Sequence, residues 1–208
     1  MAKSTKVSIE PIETATGTVT IRAIKGSSLI CHRFGESAKK KIEDKQSKKG
    51  RQAREARDPE KEFRESLYII SENPKKYGFP TAGIKKAIVQ AYSFTEGITK
   101  TLIKGALHVP GDLLEIKGDG PHQRTDIVRL NSQGRPADFR YRGEFFHWEI
   151  TVPLVYNARA LSAEQIVNLI NIAGFHVGIG DWRPGSPSSP GPHGMFTLKG
   201  GIEDDEEA

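Results

Sequence analysis

The sequence predicts an α+β domain built on an antiparallel β-sheet, and three observations lead there. Apolar and polar residues alternate at residues 18–24 and 125–130, the period of a half-buried strand. Two segments, beginning at Thr81 and Ser162, carry an apolar stripe at helical spacing instead. The strand-like segments are interleaved with a few helices, without the regular β-α alternation of a doubly wound parallel sheet.

The elements follow in order. Residues 6–10 and 18–24 alternate as strands, with Gly17 between them as turn punctuation. Then the composition changes: Lys39, Lys40, Lys41, Lys45, Lys48, Lys49, Arg51, Arg54 and Arg57 crowd a stretch with few apolar residues. Such a stretch has too little apolar surface to offset its ordering entropy. Residues 36–66 are therefore expected as a basic insertion, partly mobile or an exposed helical excursion, suited to a solvated face or to phosphate contact. A strand is expected around Phe63, Leu67, Tyr68, Ile69 and Ile70, then a turn-rich piece from Asn73 to Pro80. Thr81 is expected as the N-cap of a helix whose Ile84, Ala87, Ile88 and Ala91 face inward. A short helix or turn near residues 93–101 precedes strands at 104–109, 113–116 and 125–130. Residues 138–142 and 145–156 read as long antiparallel strands joined around Gly143. In the last helix Ser162 and Gln165 form a capping box, Ile166, Leu169, Ile170 and Ala173 the buried face, and Gly174 the C-terminal cap. Residues 175–178 and 195–198 read as short strands separated by a long loop.

Composition narrows the function classes. With 36% apolar and 27% charged residues the chain can bury a real core, and no stretch approaches the roughly 18 apolar residues of a membrane span. The first ten residues lack the apolar region of a secretory signal, and a single cysteine, Cys31, excludes an internal disulfide. The expected location is the cytoplasm, of a bacterial cell or of a phage-infected host. Cys31 reads as a buried structural thiol. The net charge of +5 includes an acidic tail at residues 203–208, so the body, residues 1–202, is more basic than the total. The tail is either a solvated terminus or a competitor for a basic groove.

Two constellations suit nucleic acid. Residues 178–194 hold Gly178, Gly180, Gly185, Gly191 and Gly194 among four prolines. Glycine lets backbone N–H groups point outward and a ligand approach closely. Trp182 offers a stacking face and Arg183 a phosphate clamp; the alternative is a long hairpin loop with Trp182 in the core. Around Phe139 stand Arg135, Arg140, Tyr141 and Arg142; strand alternation puts Arg140 and Arg142 on one face, either a binding surface or the solvent side. For catalysis, the six histidines lack metal-ligand spacing, and there is no P-loop or GxSxG elbow. His32, beside Arg33, is the one candidate general base. No metal or cofactor is expected.

Two of these places together resemble the RAMP superfamily, the repeat-associated proteins that build CRISPR effector complexes. Residues 79–88 look like its Pro-small-small-small-aliphatic-Lys-Gly-Ala helix start, with Pro80, Ile84, Lys85 and Ala87 matching; Lys86 stands in place of glycine and Val89 where arginine is frequent. Residues 178–194, followed by Met195-Phe196-Thr197-Leu198, resemble the family's glycine-rich loop between a helix and a last strand. The resemblance implies one ferredoxin-like (RRM-like) domain over residues 1–202, with helices on one face of an antiparallel sheet. It also implies that the helix start and the loop face a nucleic-acid backbone, and that the insertion grips the strand or the next subunit.

The expectation is a non-catalytic protein that binds single-stranded RNA or DNA, assembling along the strand as a filament or effector-complex subunit. Lys85, Lys86, Arg183, Arg140, Arg142, Lys39, Lys40, Lys41, Lys48, Lys49 and Arg51 would hold phosphates, beside Gly178, Gly180 and Gly194, while Trp182 or Tyr141 stacks on bases. One alternative is a metal-independent RNA-processing endonuclease using His32; another is a phage structural or assembly protein.

Overall fold

The computed structural model describes residues 11–47, 57–129 and 137–200. It is α+β, with a large open sheet in which every pairing is antiparallel. The strands are β1 (Thr14–Ala23), β2 (Leu29–Cys31), β3 (Tyr68–Glu72), β4 (Lys75–Pro80), β5 (Leu107–His108), β6 (Leu113–Arg129), β7 (Ala137–Asn157) and β8 (Phe196–Leu198). The helices are α1 (Glu36–Gln46), α2 (Pro59–Glu65), α3 (Thr81–Gln90), α4 (Lys100–Ala106) and α5 (Ala163–Ile172). The sheet runs β3-β4-β6-β7-β1-β8, with β2 and β5 also paired to β7.

β7 is the spine. One edge pairs with β6 and then β5; the other pairs with β2 through Gly143–Phe145 and with β1 through Glu149–Asn157. Trp148, Ile150, Val152 and Leu154 are buried on alternate positions, while Thr151 between them is exposed. That alternation gives β7 one face toward the core and one toward solvent. The buried face shares a single core cluster with Ile84 and Ile88 of α3 and with Ile166, Leu169 and Ile170 of α5. Each such aliphatic side chain contributes about 1.5–3 kcal/mol by leaving water. No helix among the described residues is long and apolar enough to cross a membrane.

The stripes that the sequence marks are buried: Ile84, Ala87 and Ile88 on α3 with Ala91 just past its end, and Ile166, Leu169 and Ile170 on α5 with Ala173 just past its end. The Ser162–Gln165 capping box is formed in both directions. Cys31 is buried as expected.

Elsewhere the boundaries differ, for physical reasons. Phe63 belongs to α2, because Asp58 caps that helix and Pro59 opens it; the strand starts at Tyr68. Pro80, not Thr81, is the N-cap of α3, and the Thr81 hydroxyl donates to the Gly111 carbonyl at 2.6 Å. The element expected near residues 93–101 divides into a 3-10 turn, Ala91–Phe94, and α4, capped by Thr99; α4 takes the first half of the strand expected at 104–109, leaving Leu107–His108 as β5. Residues 113–116 and 125–129 join in one strand, β6, whose register shifts around Gly118 and Gly120, and Leu130 lies outside the described residues. Gly17 is paired opposite Leu154 inside β1. Gly143 and Gly174, expected to break a strand and a helix, instead make room: a Cβ would strike the Leu67 side chain at Gly143 and the Phe196 carbonyl at Gly174. Thus β7 continues through Gly143, and α5 continues through a π-helical turn, Ala173–Val177, where residues 175–178 were expected as a strand. The chain leaves that turn at Gly178, with φ +66°.

The strand expected at residues 6–10, Lys48, Lys49, Arg51 and Arg54 of the insertion, Arg135 and the acidic tail lie outside the described residues. The described parts of the insertion are helical: α1 is exposed, and α2 packs back on β7. Arg57 donates to Glu62, to Asp138 and to the Phe139 carbonyl, tying α2 to β7.

Candidate nucleic-acid interface

The glycine-rich loop is closed by backbone hydrogen bonds to the segment around β2. Asp181 N–H donates to the Ile30 carbonyl at 3.0 Å, Gly194 N–H to Ser28 at 2.7 Å, and Ile179 N–H to Gly194 at 2.9 Å. These bonds bring the two ends of residues 178–194 together, so the segment is an ordered lobe and not a long hairpin tip.

Beneath the lobe lies an ion network that begins on the sheet. Register sets Arg124 directly opposite Arg142 and Asp126 opposite Arg140. Two cations face to face repel, but the diagonal neighbours are carboxylates. Arg142 donates to Asp126 at 2.8 Å, and Arg124 donates to Asp126 at 3.0 Å and to Glu144 at 2.9 Å. The Ser28 hydroxyl donates to Glu144 at 2.5 Å and lies 2.9 Å from His193 Nδ1. The second Arg142 arm donates to Asp181 at 2.8 Å, and the same Asp181 oxygen lies 2.9 Å from His32 Nδ1. Trp182, at φ +53°, has the Arg142 and Arg124 guanidinium carbons 4.5 and 5.0 Å from its ring centroid.

Burial pulls the Asp181 carboxyl upward, but bonding to His32 and then Arg142 outweighs it and holds the group below its ordinary value. The His193 imidazole is pushed down, by burial first and by the Arg124 charge second.

Arg142, expected on a binding surface or the solvent side, is 3% exposed and engaged with two carboxylates. Trp182 belongs to the same network and is only partly exposed, neither a free stacking face nor a core residue. Arg140 is half-buried and paired with Asp138 at 3.3 Å. Lys85 turns toward α4, where its ammonium donates to the carbonyls of Ile103 at 3.1 Å and Lys104 at 3.2 Å. Burial there pushes the Lys85 amine below its ordinary value. Lys39 pairs with Glu36 at 2.8 Å on exposed α1, and Lys40 is exposed on the same helix; the Lys41 side chain lies outside what is described.

Other expected residues do meet. A cleft of about 320 Å³ opens between α3 and the lobe, lined by Pro80, Gly83, Lys86, Ala87 and Gln90 on one side and Gly178, Ile179, Gly180, Asp181 and Arg183 on the other. His32, Tyr68 and Phe79 complete it. Lys86 is exposed, and Arg183 holds its own turn by donating to the Gly180 carbonyl at 2.9 Å. Gly194 lies outside the lining and is buried, closing the lobe on Ile179 and Ser28.

Asp126, Arg124, Glu144, Ser28 and Asp181 went unread in the sequence. Arg124 and Asp126, two apart in a strand and so on one face, are the signal that carries the pairing. Among the described residues no three of His, Cys, Asp and Glu are grouped to hold a metal ion. Neither the family models nor the curated proteins contain a match to this chain.

Proposed function

We propose that this protein binds the sugar-phosphate backbone of single-stranded nucleic acid in the cleft between α3 and the glycine-rich lobe. The observation that carries the reading is that the two segments singled out in the sequence, near residues 80–90 and 178–183, line one open cleft. Lys86 and Arg183 supply positive charge, and glycines at 83, 178 and 180 leave the walls low for close approach. Asp181 adds little repulsion, because the Arg142 guanidinium is already paired with it.

The same reading takes the core as an elaborated ferredoxin-like (RRM-like) unit related to the RAMP superfamily. Its support is connectivity. β1, α3, β6, β7, α5 and β8 follow one another as β-α-β-β-α-β. Their strands neighbour one another as β6-β7-β1-β8, the first strand lying between the third and the fourth. β2 to β5 and helices α1, α2 and α4 are then additions to that unit. Assembly along the strand and a cytoplasmic setting belong to this proposal as well.

The test is a salt titration of oligothymidylate and oligouridylate binding to the full-length chain. Affinity should fall steeply with salt, and Lys86→Ala with Arg183→Ala should lower the slope of log K against log salt by about 2. No binding at low salt, or a slope unchanged by both substitutions, would sink the reading.

One geometry favours a second reading. His32 lines the cleft with its Nδ1 held by Asp181, the arrangement that orients an imidazole for proton transfer. Metal-free incubation with structured RNA decides it: discrete cleavage lost in His32→Ala supports an endonuclease, and intact RNA removes it.

A further inference from the structure

An aromatic island lies just beyond the cleft, on two turns that pack together: the 3-10 turn Ala91–Phe94 after α3 and the π-helical turn Ala173–Val177 after α5. The Phe94 ring is nearly parallel to the His176 imidazole, with centroids 4.3 Å and planes 10° apart. Phe175 meets the same imidazole edge-on at 5.0 Å. Phe94 and Phe175 remain 51% and 58% exposed, so this stack buries little apolar area in the protein itself.

Both turns adjoin the cleft in the chain. Gln90, a lining residue, immediately precedes the 3-10 turn, and Gly178, another, immediately follows the π-helical turn. From Gln90 to Phe94 is roughly 6–8 Å along the axis, about one turn. The island is also small. At these exposures two phenylalanine rings present on the order of 200 Å², against about 800 Å² per partner in a stable protein interface. Exposed Ser93 and Glu96 border it. The Lys100 ammonium, 5.7 Å from the centre of the Tyr92 ring, adds a cation beside the same turn. A flat, ring-sized apolar face beside a cationic cleft fits a nucleobase better than a protein surface.

We infer that Phe94, backed by His176, is a stacking platform for an unpaired base of a strand whose phosphates lie in the cleft, with Phe175 bordering it. The inference rests on the backbone-binding reading of that cleft. Every base has a π-face, so the platform favours single strands over duplexes without selecting a sequence.

Fluorescence anisotropy with the full-length chain tests it, using an oligothymidylate and an abasic oligomer of equal length at one low salt concentration. The wild type should bind the thymidylate about tenfold or more tighter than the abasic oligomer. Phe94→Ala should remove most of that preference and leave abasic binding unchanged, and Phe94→Trp should restore it. Phe175→Ala, a second variant in case Phe94→Ala does not fold, should reduce the preference several-fold. Equal wild-type affinity for both oligomers, or variants that weaken both alike, overturns the platform while the cleft reading stands. Binding of neither oligomer overturns both.

Discussion

Arg142 holds two carboxylates at once, Asp126 on the sheet and Asp181 on the lobe, while its guanidinium faces Trp182. Removing one partner of a buried ion pair leaves the other desolvated and uncompensated, which costs about 3–5 kcal/mol. Arg142→Ala should therefore lose that much in urea unfolding at neutral pH, and Arg142→Lys should recover little, because a single ammonium cannot span both acids. The same network sets a pH dependence. The folded His193 imidazole is depressed, so the unfolded chain takes up its proton first. Its contribution is complete above the ordinary histidine value of about 6.5 and is lost as pH falls through the lower folded value. Asp181 adds a further loss below about pH 4, again because its folded value is the lower one. Thermal midpoints should decline as the pH drops from 7.5 toward 5.5, and His193→Gln should flatten that decline.

At the scale of elements, α3 carries two lysines with different tasks. Lys85 satisfies carbonyls at the end of α4, whereas Lys86 stands in the cleft. Lys85→Ala should lower the melting temperature with little change in the salt slope of binding. Lys86→Ala should do the reverse, reducing that slope by about 1. α5 depends on its start: Ser162→Ala removes the acceptor for Gln165 N–H and should cost about 1 kcal/mol by denaturant unfolding. These helices were legible in the sequence, because a stripe at 3.6-residue spacing and a capping box are local features. The continuation of β7 and of the last helix past their glycines was not. Gly143 and Gly174 carry the same local signature as a turn or a cap, and only the approach of Leu67 and Phe196 from distant parts of the chain reveals their role. The cleft was half legible for the same reason: its two walls could each be read locally. Whether Lys85 or Lys86 enters it depends on where α4 packs.

The whole molecule closes around one buried cluster, and Cys31 sits inside it on β2. Burial, reinforced by the Asp181 charge, pushes the Cys31 thiol up to about 12, so at pH 8 it is neither ionised nor accessible. An aromatic disulfide reagent should leave the native protein unlabelled and modify it stoichiometrically in denaturant, along the same curve as far-UV circular dichroism. Labelling before that transition would show β2 opening separately from the rest. The central place of β7 also bears on biosynthesis. β1 is translated before both of its pairing partners, β7 and β8. Its main partner emerges roughly 125 residues later, on the order of ten seconds at about 5–20 residues per second. Throughout that interval the segment that becomes β1 has no strand to pair with, and its apolar face stays open to chaperones at the ribosome exit until β7 has been made.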